Sequence, residues 1–172
     1  MNCWSQARRA PPGSANRSPE SAALPQVRTQ LFLCRSFDTV AGLRLALIGY
    51  GNVGRAFARL LDRKKSQFPF RIVAIHTLRH GSAFDTHGLP QEPAFGPPAQ
   101  SIEEFLDRAT AEIVVEVTSL NPATGEPAIS HIRAAFARRV HVITANKGPI
   151  AHCYASLRTE AANAGVMFRF ES

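Results

Sequence analysis

Apolar and polar positions along the chain change period several times, and each change marks an element. "LRLALIG" (Leu43–Gly49) is a short apolar run ending in glycine, the pattern of a buried strand. "NVGRAFARLLDRKK" then sets Val53, Phe57, Leu60 and Leu61 at helical spacing, with basic residues in the last turn where they suit the helix dipole. "FRIVAIHTL" predicts a second strand. The Gly- and Pro-rich stretch "HGSAFDTHGLPQEPAFGPPAQ" is expected to be irregular. Ser101 and Glu104 form a capping-box pattern ahead of the helix "IEEFLDRAT". "AEIVVEVTSL" predicts a third strand and "GEPAISHIRAAFARR" a helix with Pro127 in its first turn. "VHVIT" predicts a fourth strand, "AHCYASLRTEAANAG" a helix closed by Gly165, and "VMFRF" a fifth strand. Strands alternating with helices, several of them apolar along their length, imply a parallel sheet covered on both faces.

Residues 1–40 follow a different pattern. They are rich in Pro, Ser, Arg and Ala and offer too little apolar surface to offset the entropy of ordering, so they are expected to be an unstructured extension. An Arg- and Ser-rich, acid-poor leader also fits an organelle transit peptide. Residues 41–172 are then the single domain. At 172 residues and 45% hydrophobic the chain can bury a core, and no apolar run approaches the roughly 20 residues of a membrane span, so a soluble, cytoplasmic protein is expected. The formal charge of +7 raises nucleic-acid binding. Part of it sits in the leader, where Arg8, Arg9, Arg17, Arg28 and Arg35 face only Glu20 and Asp38, and no aromatic stacking platform accompanies the rest; no nucleic-acid partner is expected. Cys3, Cys34 and Cys153 have no pairing or zinc spacing and read as reduced thiols. His76 and His80 are spaced HxxxH at a strand end rather than on a helix, which gives little support to a histidine metal site.

Gly49-Tyr50-Gly51-Asn52-Val53-Gly54 is a GxGxxG sequence with a strand before it and a helix directly after, the context in which it binds a dinucleotide. The first glycine allows the tight turn, the second lets backbone approach a pyrophosphate, and the third brings helix onto strand; the helix N-terminus offers unpaired N–H groups to the phosphates. Gly49, Gly51, Asn52, Val53 and Gly54 are therefore candidate cofactor residues, in a Rossmann-like doubly wound α/β fold. The plain alternative is three glycines that only build a turn. An NAD site calls for an acid about 20 residues on, at the end of the second strand. Ile75-His76-Thr77-Leu78-Arg79-His80 holds none, and Arg79 is a candidate for a 2′-phosphate, so NADP is expected over NAD. A solvated loop arginine is the competing reading.

Ligands of open α/β sheets bind beyond the carboxyl ends of the strands. Two polar clusters follow the third and fourth strands: Thr118-Ser119-Leu120-Asn121-Pro122 and Thr144-Ala145-Asn146-Lys147-Gly148-Pro149. Thr118 and Ser119 are candidates for the cofactor's ribose or nicotinamide, or hydroxyls that merely end a strand. Turn chemistry explains Asn, Gly and Pro in the second cluster. It does not call for Lys147, which is one of only three lysines in the chain, with Lys64 and Lys65.

"ALIGYGNVGRAFARLL", "VVEVTSLNPATGEPAISHI", "VHVITANKGPIA" and "FRFES" together resemble the N-terminal half of homoserine dehydrogenases, over about Leu43 to Ser172. The resemblance implies NAD(P)-dependent interconversion of homoserine and aspartate 4-semialdehyde, in the branch toward threonine and methionine. It implies that Lys147, with Asn146 beside it, lies by the nicotinamide and takes part in proton transfer, and that Glu171 helps hold a monovalent cation. Removing hydride from an alcohol leaves a proton for a base to take, and a protonated lysine equally stabilises alkoxide charge; the residues leave both roles open. The family's substrate and dimerisation domain begins near the FES segment, where this chain stops. A cofactor-binding half, weak or inactive alone and of open oligomeric state, is the expectation. Another NAD(P)-dependent reductase, or a non-enzymatic dinucleotide-sensing module, is the alternative.

Overall fold

A computed structural model describes residues 42–171. The extension expected over 1–40, with Cys3 and Cys34, lies outside the described residues. Ten elements follow in order: β1 (Arg44–Ile48), α1 (Asn52–Arg63), β2 (Arg71–Thr77), β3 (Gly81–Phe84), α2 (Ile102–Ala109), β4 (Ile113–Glu116), α3 (Ala128–Ala137), β5 (His141–Thr144), α4 (Lys147–Ala164) and β6 (Phe168–Phe170). The strands form one sheet in the order β3-β2-β1-β4-β5-β6, parallel except for β3. The chain winds outward from β1 in both directions, so the crevice between β1 and β4 is the topological switch point of a doubly wound fold.

Strand alternation divides the core into two layers. Ala46, Ile48, Val114 and Val142 pack against Phe105 and Leu106 of α2, Ile132 and Phe136 of α3, and Leu157 of α4. Leu47, Ile75 and Val115 face the other way, toward Phe57 and Ala58 of α1 and Leu89 and Phe95 of the loop before α2. Cover on this second face is partial, because one helix and a loop cannot span six strands. Ile143 of β5 points there and stays 42% exposed.

Three expectations are corrected in detail. The Gly/Pro-rich stretch contains β3, which pairs antiparallel with β2 and is closed by the Ser82–Gly96 bridge. Its small residues carry no strand signal of their own; the open edge of β2 supplies the pairing. Pro127 sits at the cap position before α3, not inside its first turn. The last helix starts at Lys147 rather than Ala151, so Lys147-Gly148-Pro149 is its first turn. Pro149 is tolerated there because the N–H groups of the first turn have no intrahelical acceptor to lose.

Phe105 has no solvent exposure and packs its ring against His76 at 5.2 Å and Phe84 at 5.6 Å. Phe105→Ala should cost about 3–5 kcal/mol in urea unfolding, a loss expected of a buried ring whose cavity cannot collapse. A loss under 1 kcal/mol would mean that α2 is not anchored through this side chain.

Candidate functional site

The carboxyl ends of the strands are level. Register pairs Ile48 with His76 on one side and with Glu116 on the other, then Glu116 with Thr144 and Thr144 with Phe170. Loops leaving β1, β4 and β5 therefore emerge side by side at one rim, and they carry the three candidate segments. Gly49 continues the ladder through its N–H to the His76 carbonyl (2.9 Å), and Val117 N–H reaches the Ile48 carbonyl (2.9 Å).

At the first segment the glycines divide their roles. Gly49 has φ +101°, and a Cβ there would stand 2.7 Å from the Val117 carbonyl oxygen. Gly54 is buried in the first turn of α1, where a Cβ would come 2.8 Å from the Gly49 carbonyl oxygen. Both are required by the fold itself. Gly51 is different: a Cβ would meet nothing within 4 Å. It is exposed at the cap of α1, which has no side-chain cap and no acid in its first turn. At α2 and α4 that need is met internally, with Ser101 accepting from Glu104 N–H and Asn146 from Gly148 N–H, whereas α3, like α1, has no side-chain cap. Uncapped N–H groups and an open backbone fit a pyrophosphate. Asn52 and Val53, both exposed, form the rim of this cradle.

The second and third segments are bound to each other. Glu116 has no solvent exposure. One carboxylate oxygen accepts from the Thr118 N–H (2.9 Å) and the Thr118 hydroxyl; the other accepts from the Thr144 hydroxyl (2.6 Å). Thr144 Oγ1 in turn accepts from Asn146 N–H (3.0 Å). The Asn146 side-chain amide extends toward the Thr118 and Ser119 carbonyls (3.4 and 3.5 Å), while its oxygen caps α4 through Gly148 N–H (3.1 Å). Thr118 thus spends its hydroxyl proton inward on Glu116, and Ser119 is exposed at the rim. Gly148 packs against the loop after β4, where a Cβ would lie 2.9 Å from the Gly125 Cα; His152 Nε2 is 2.9 Å from the Pro122 carbonyl. The glycine of Ala-Asn-Lys-Gly-Pro is thus a contact point between two backbones rather than a turn residue.

Lys147 is the first residue of α4 and is exposed. A cation at the positive end of a helix dipole runs against the usual preference by about 0.3–1 kcal/mol, so it does not serve the helix. Glu171 follows β6 and donates its N–H to the Thr144 carbonyl (3.2 Å), which puts the residue at the same rim. Among the described residues no group of three or more His, Cys, Asp or Glu side chains is placed to hold a metal ion. Arg79 is exposed in the turn after β2. The adjacent cleft, about 460 Å³, is lined instead by Arg55 and Arg59 of α1 and by His80, over the rings of Tyr50 and Phe95, with Glu92 also in its wall. Arg55 Nε donates to the Tyr50 carbonyl (3.1 Å), tying the first turn of α1 to the glycine loop. Arg55 and Arg59 were not singled out by sequence; the signal was available in their i, i+4 spacing directly after the third glycine.

A family model described as "Homoserine dehydrogenase, NAD binding domain" matches residues 49–171. The chain belongs to this family. It is 36% identical over 148 residues to a homoserine dehydrogenase of Methanocaldococcus jannaschii, covering 74% of this chain and 44% of that one. It is 35% identical to an NAD(+)-dependent homoserine dehydrogenase of Pseudomonas canavaninivorans, covering 74% and 42%. Among solved structures, the homoserine dehydrogenase of Thermoplasma acidophilum superposes with a TM-score of 0.66 at 23% identity, over 76% of this chain and 43% of that one. A hyperthermophilic archaeal homoserine dehydrogenase in complex with NADPH gives 0.62 at 23% identity, over 76% and 44%. These two likenesses bear on the fold alone. The chain spans less than half the length of these relatives. No helix among the described residues is long and apolar enough to cross a membrane.

Beneath the rim, burial pulls the His76 and His131 imidazoles below their usual range; at His131, Glu116 opposes the shift and His76 adds to it. His131 Nδ1 is buried without a hydrogen-bond partner among the described residues. Unfolded, both rings titrate near 6.5. Above that pH neither state is protonated; below it the unfolded chain takes up protons that the folded domain resists, so stability is present above about 6.5 and lost as pH falls. Urea midpoints should therefore drop between pH 7.5 and 5.5, and His131→Gln should flatten the drop. An unchanged slope in that variant would remove His131 from the account.

Proposed function

We propose that this domain is the cofactor-binding half of an NADP-preferring homoserine dehydrogenase, with Lys147 as the proton-transfer residue. One observation carries the reading: Asn146, held between the exits of β4 and β5, sets Lys147 at the same rim of the sheet from which the glycine loop leaves β1. The cofactor, when bound, supplies the hydride chemistry. Gly51 and the first turn of α1 hold its pyrophosphate, and Asn146, Thr118 and Ser119 border its nicotinamide end. Lys147 Nζ takes the hydroxyl proton of homoserine as the alcohol is oxidised and returns one to aspartate 4-semialdehyde in reverse. Glu171 is the residue we assign to a monovalent cation, and the threonine and methionine branch is the setting this substrate implies.

The NADP preference rests on charge. Arg55, Arg59 and His80 surround the cleft past β2, with Glu92 as the one carboxylate in its lining, and Arg79 adds positive charge beside it. A 2′-phosphate satisfies that set better than a ribose hydroxyl does. Relatives bearing the two cofactor names make this a question for titration. NADPH should bind the purified chain about tenfold or more tightly than NADH by nicotinamide fluorescence, and Arg59→Ala should narrow the ratio to about threefold. Equal affinities in the wild type would refute the preference.

Homoserine-dependent formation of NADPH from NADP⁺, read by absorbance, is the direct test of turnover. Lys147→Met should lower whatever turnover the chain shows by about 10²–10⁴-fold while NADPH affinity stays within about threefold. A variant that keeps its rate would exclude Lys147 from the chemistry. Tight cofactor binding with no turnover, together with a stable complex with another protein, would favour a dinucleotide-sensing module.

A further inference from the structure

We propose that Glu116 is a positioning residue: its buried carboxylate sets the relative placement of the β4 and β5 exits, and through them the nicotinamide end of the site and Lys147. The inference rests on the cofactor reading given above. Glu116 is wholly buried and cannot touch cofactor or substrate, so any effect on them passes through Thr118, Thr144 and Asn146.

An ionisable group here is unexpected from packing. Val114 and Val142, on the same face of β4 and β5, are apolar and fully buried. A strand end needs no charge, and burying a carboxylate is costly unless its oxygens are satisfied. Three donors converge on it, one of them from the neighbouring strand. From Thr144 the connection continues to Asn146 N–H, and from Asn146 to the loop after β4 and to the first turn of α4. Lys147 stands between the two residues of that last bond. The links form a closed loop: β4 to β5 through Glu116, and β5 back to the β4 exit through Asn146. A closed loop fixes the separation of the two exits, where a single contact leaves them free to shift. His131 of α3 faces the carboxylate from the helix layer but shares no hydrogen bond with it, so the loop itself is made of β4, β5 and their exits.

The chemistry also distinguishes the variants. In Glu116→Gln the amide oxygen still accepts from Thr118, but the NH₂ then faces Thr144 Oγ1, whose own proton loses its acceptor; shape is kept and one bond is inverted. Glu116→Ala removes all three bonds and leaves a cavity. Thr144→Val removes the cross-strand bond while nearly keeping volume, and Thr144→Ser retains it.

The test measures two ligands on the purified chain. NADPH reads the whole site, and adenosine 2′,5′-bisphosphate reads only the adenine end. Thr144→Val and Glu116→Ala should weaken NADPH about tenfold and reduce the emission gain of its bound nicotinamide, with the bisphosphate constant unchanged within about twofold. Glu116→Gln should fall between, and Thr144→Ser should restore wild-type binding. Should Glu116→Ala not fold, Thr144→Val against Thr144→Ser decides. Equal weakening of both ligands, or no change in either, would overturn the proposal and leave Glu116 a role in the fold alone. A wild-type chain that bound neither ligand would instead overturn the cofactor reading, and this proposal with it.

Discussion

A carboxylate with no access to solvent has to be satisfied by its neighbours, and at Glu116 those neighbours are the ends of two strands. The Thr118 backbone and hydroxyl and the Thr144 hydroxyl all turn inward to meet it. Because Thr144 is then oriented, it can accept the Asn146 N–H, and because Asn146 is oriented, it can cap α4 and reach across to the Thr118 and Ser119 carbonyls. The direction of α4 and the place of its first residue thus depend on a buried carboxylate that ends β4 directly after Val114 and Val115. Close approach of Gly148 to Gly125 completes the arrangement, since helix and loop meet backbone to backbone with no side chain between.

The other side of the rim is built on a different principle. Gly49 and Gly54 are held by sterics, one by a positive φ and a carbonyl at its back, the other by the helix it lets onto the strand. Between them Gly51 is left open and α1 is left uncapped. One half of the site is therefore satisfied by its own side chains, and the other half keeps its hydrogen-bonding capacity for something else. In a doubly wound sheet the two halves flank the switch point between β1 and β4, where a dinucleotide lies across the rim.

Local pattern revealed the elements whose signals are local. The apolar runs of β1, β2, β4 and β5, the glycine spacing and the helical periodicity of α1 all appear within windows of about a dozen residues. What stayed hidden depends on partners distant in sequence. β3 is a strand because β2 has a free edge, not because Gly81-Ser82-Ala83-Phe84 prefers extension. Lys147 opens a helix because Asn146 is anchored to a loop 27 residues earlier. Glu116, inside "VVEV", reads by alternation as an ordinary residue; only the register that sets it opposite Thr144 reveals a polar link in an apolar layer. The arginines facing the cleft past β2 were likewise hidden, because a helix pattern shows which face is apolar and not what the polar face overlooks.

Lys147 is where these lines meet. A surface lysine needs only solvent and a flexible stem, and it avoids helix N-termini, where the dipole repels it. Here the lysine stands at the first position of α4, between an asparagine that bridges two loops and a glycine that no larger residue can replace without a backbone clash. Every neighbouring position is constrained, and the constraint is maintained against a small electrostatic cost. Such an arrangement stabilises nothing that a neutral residue would not stabilise better. Its consequence is a lysine whose backbone is held at the rim of the sheet, which the proton transfer proposed for Lys147 requires and folding does not.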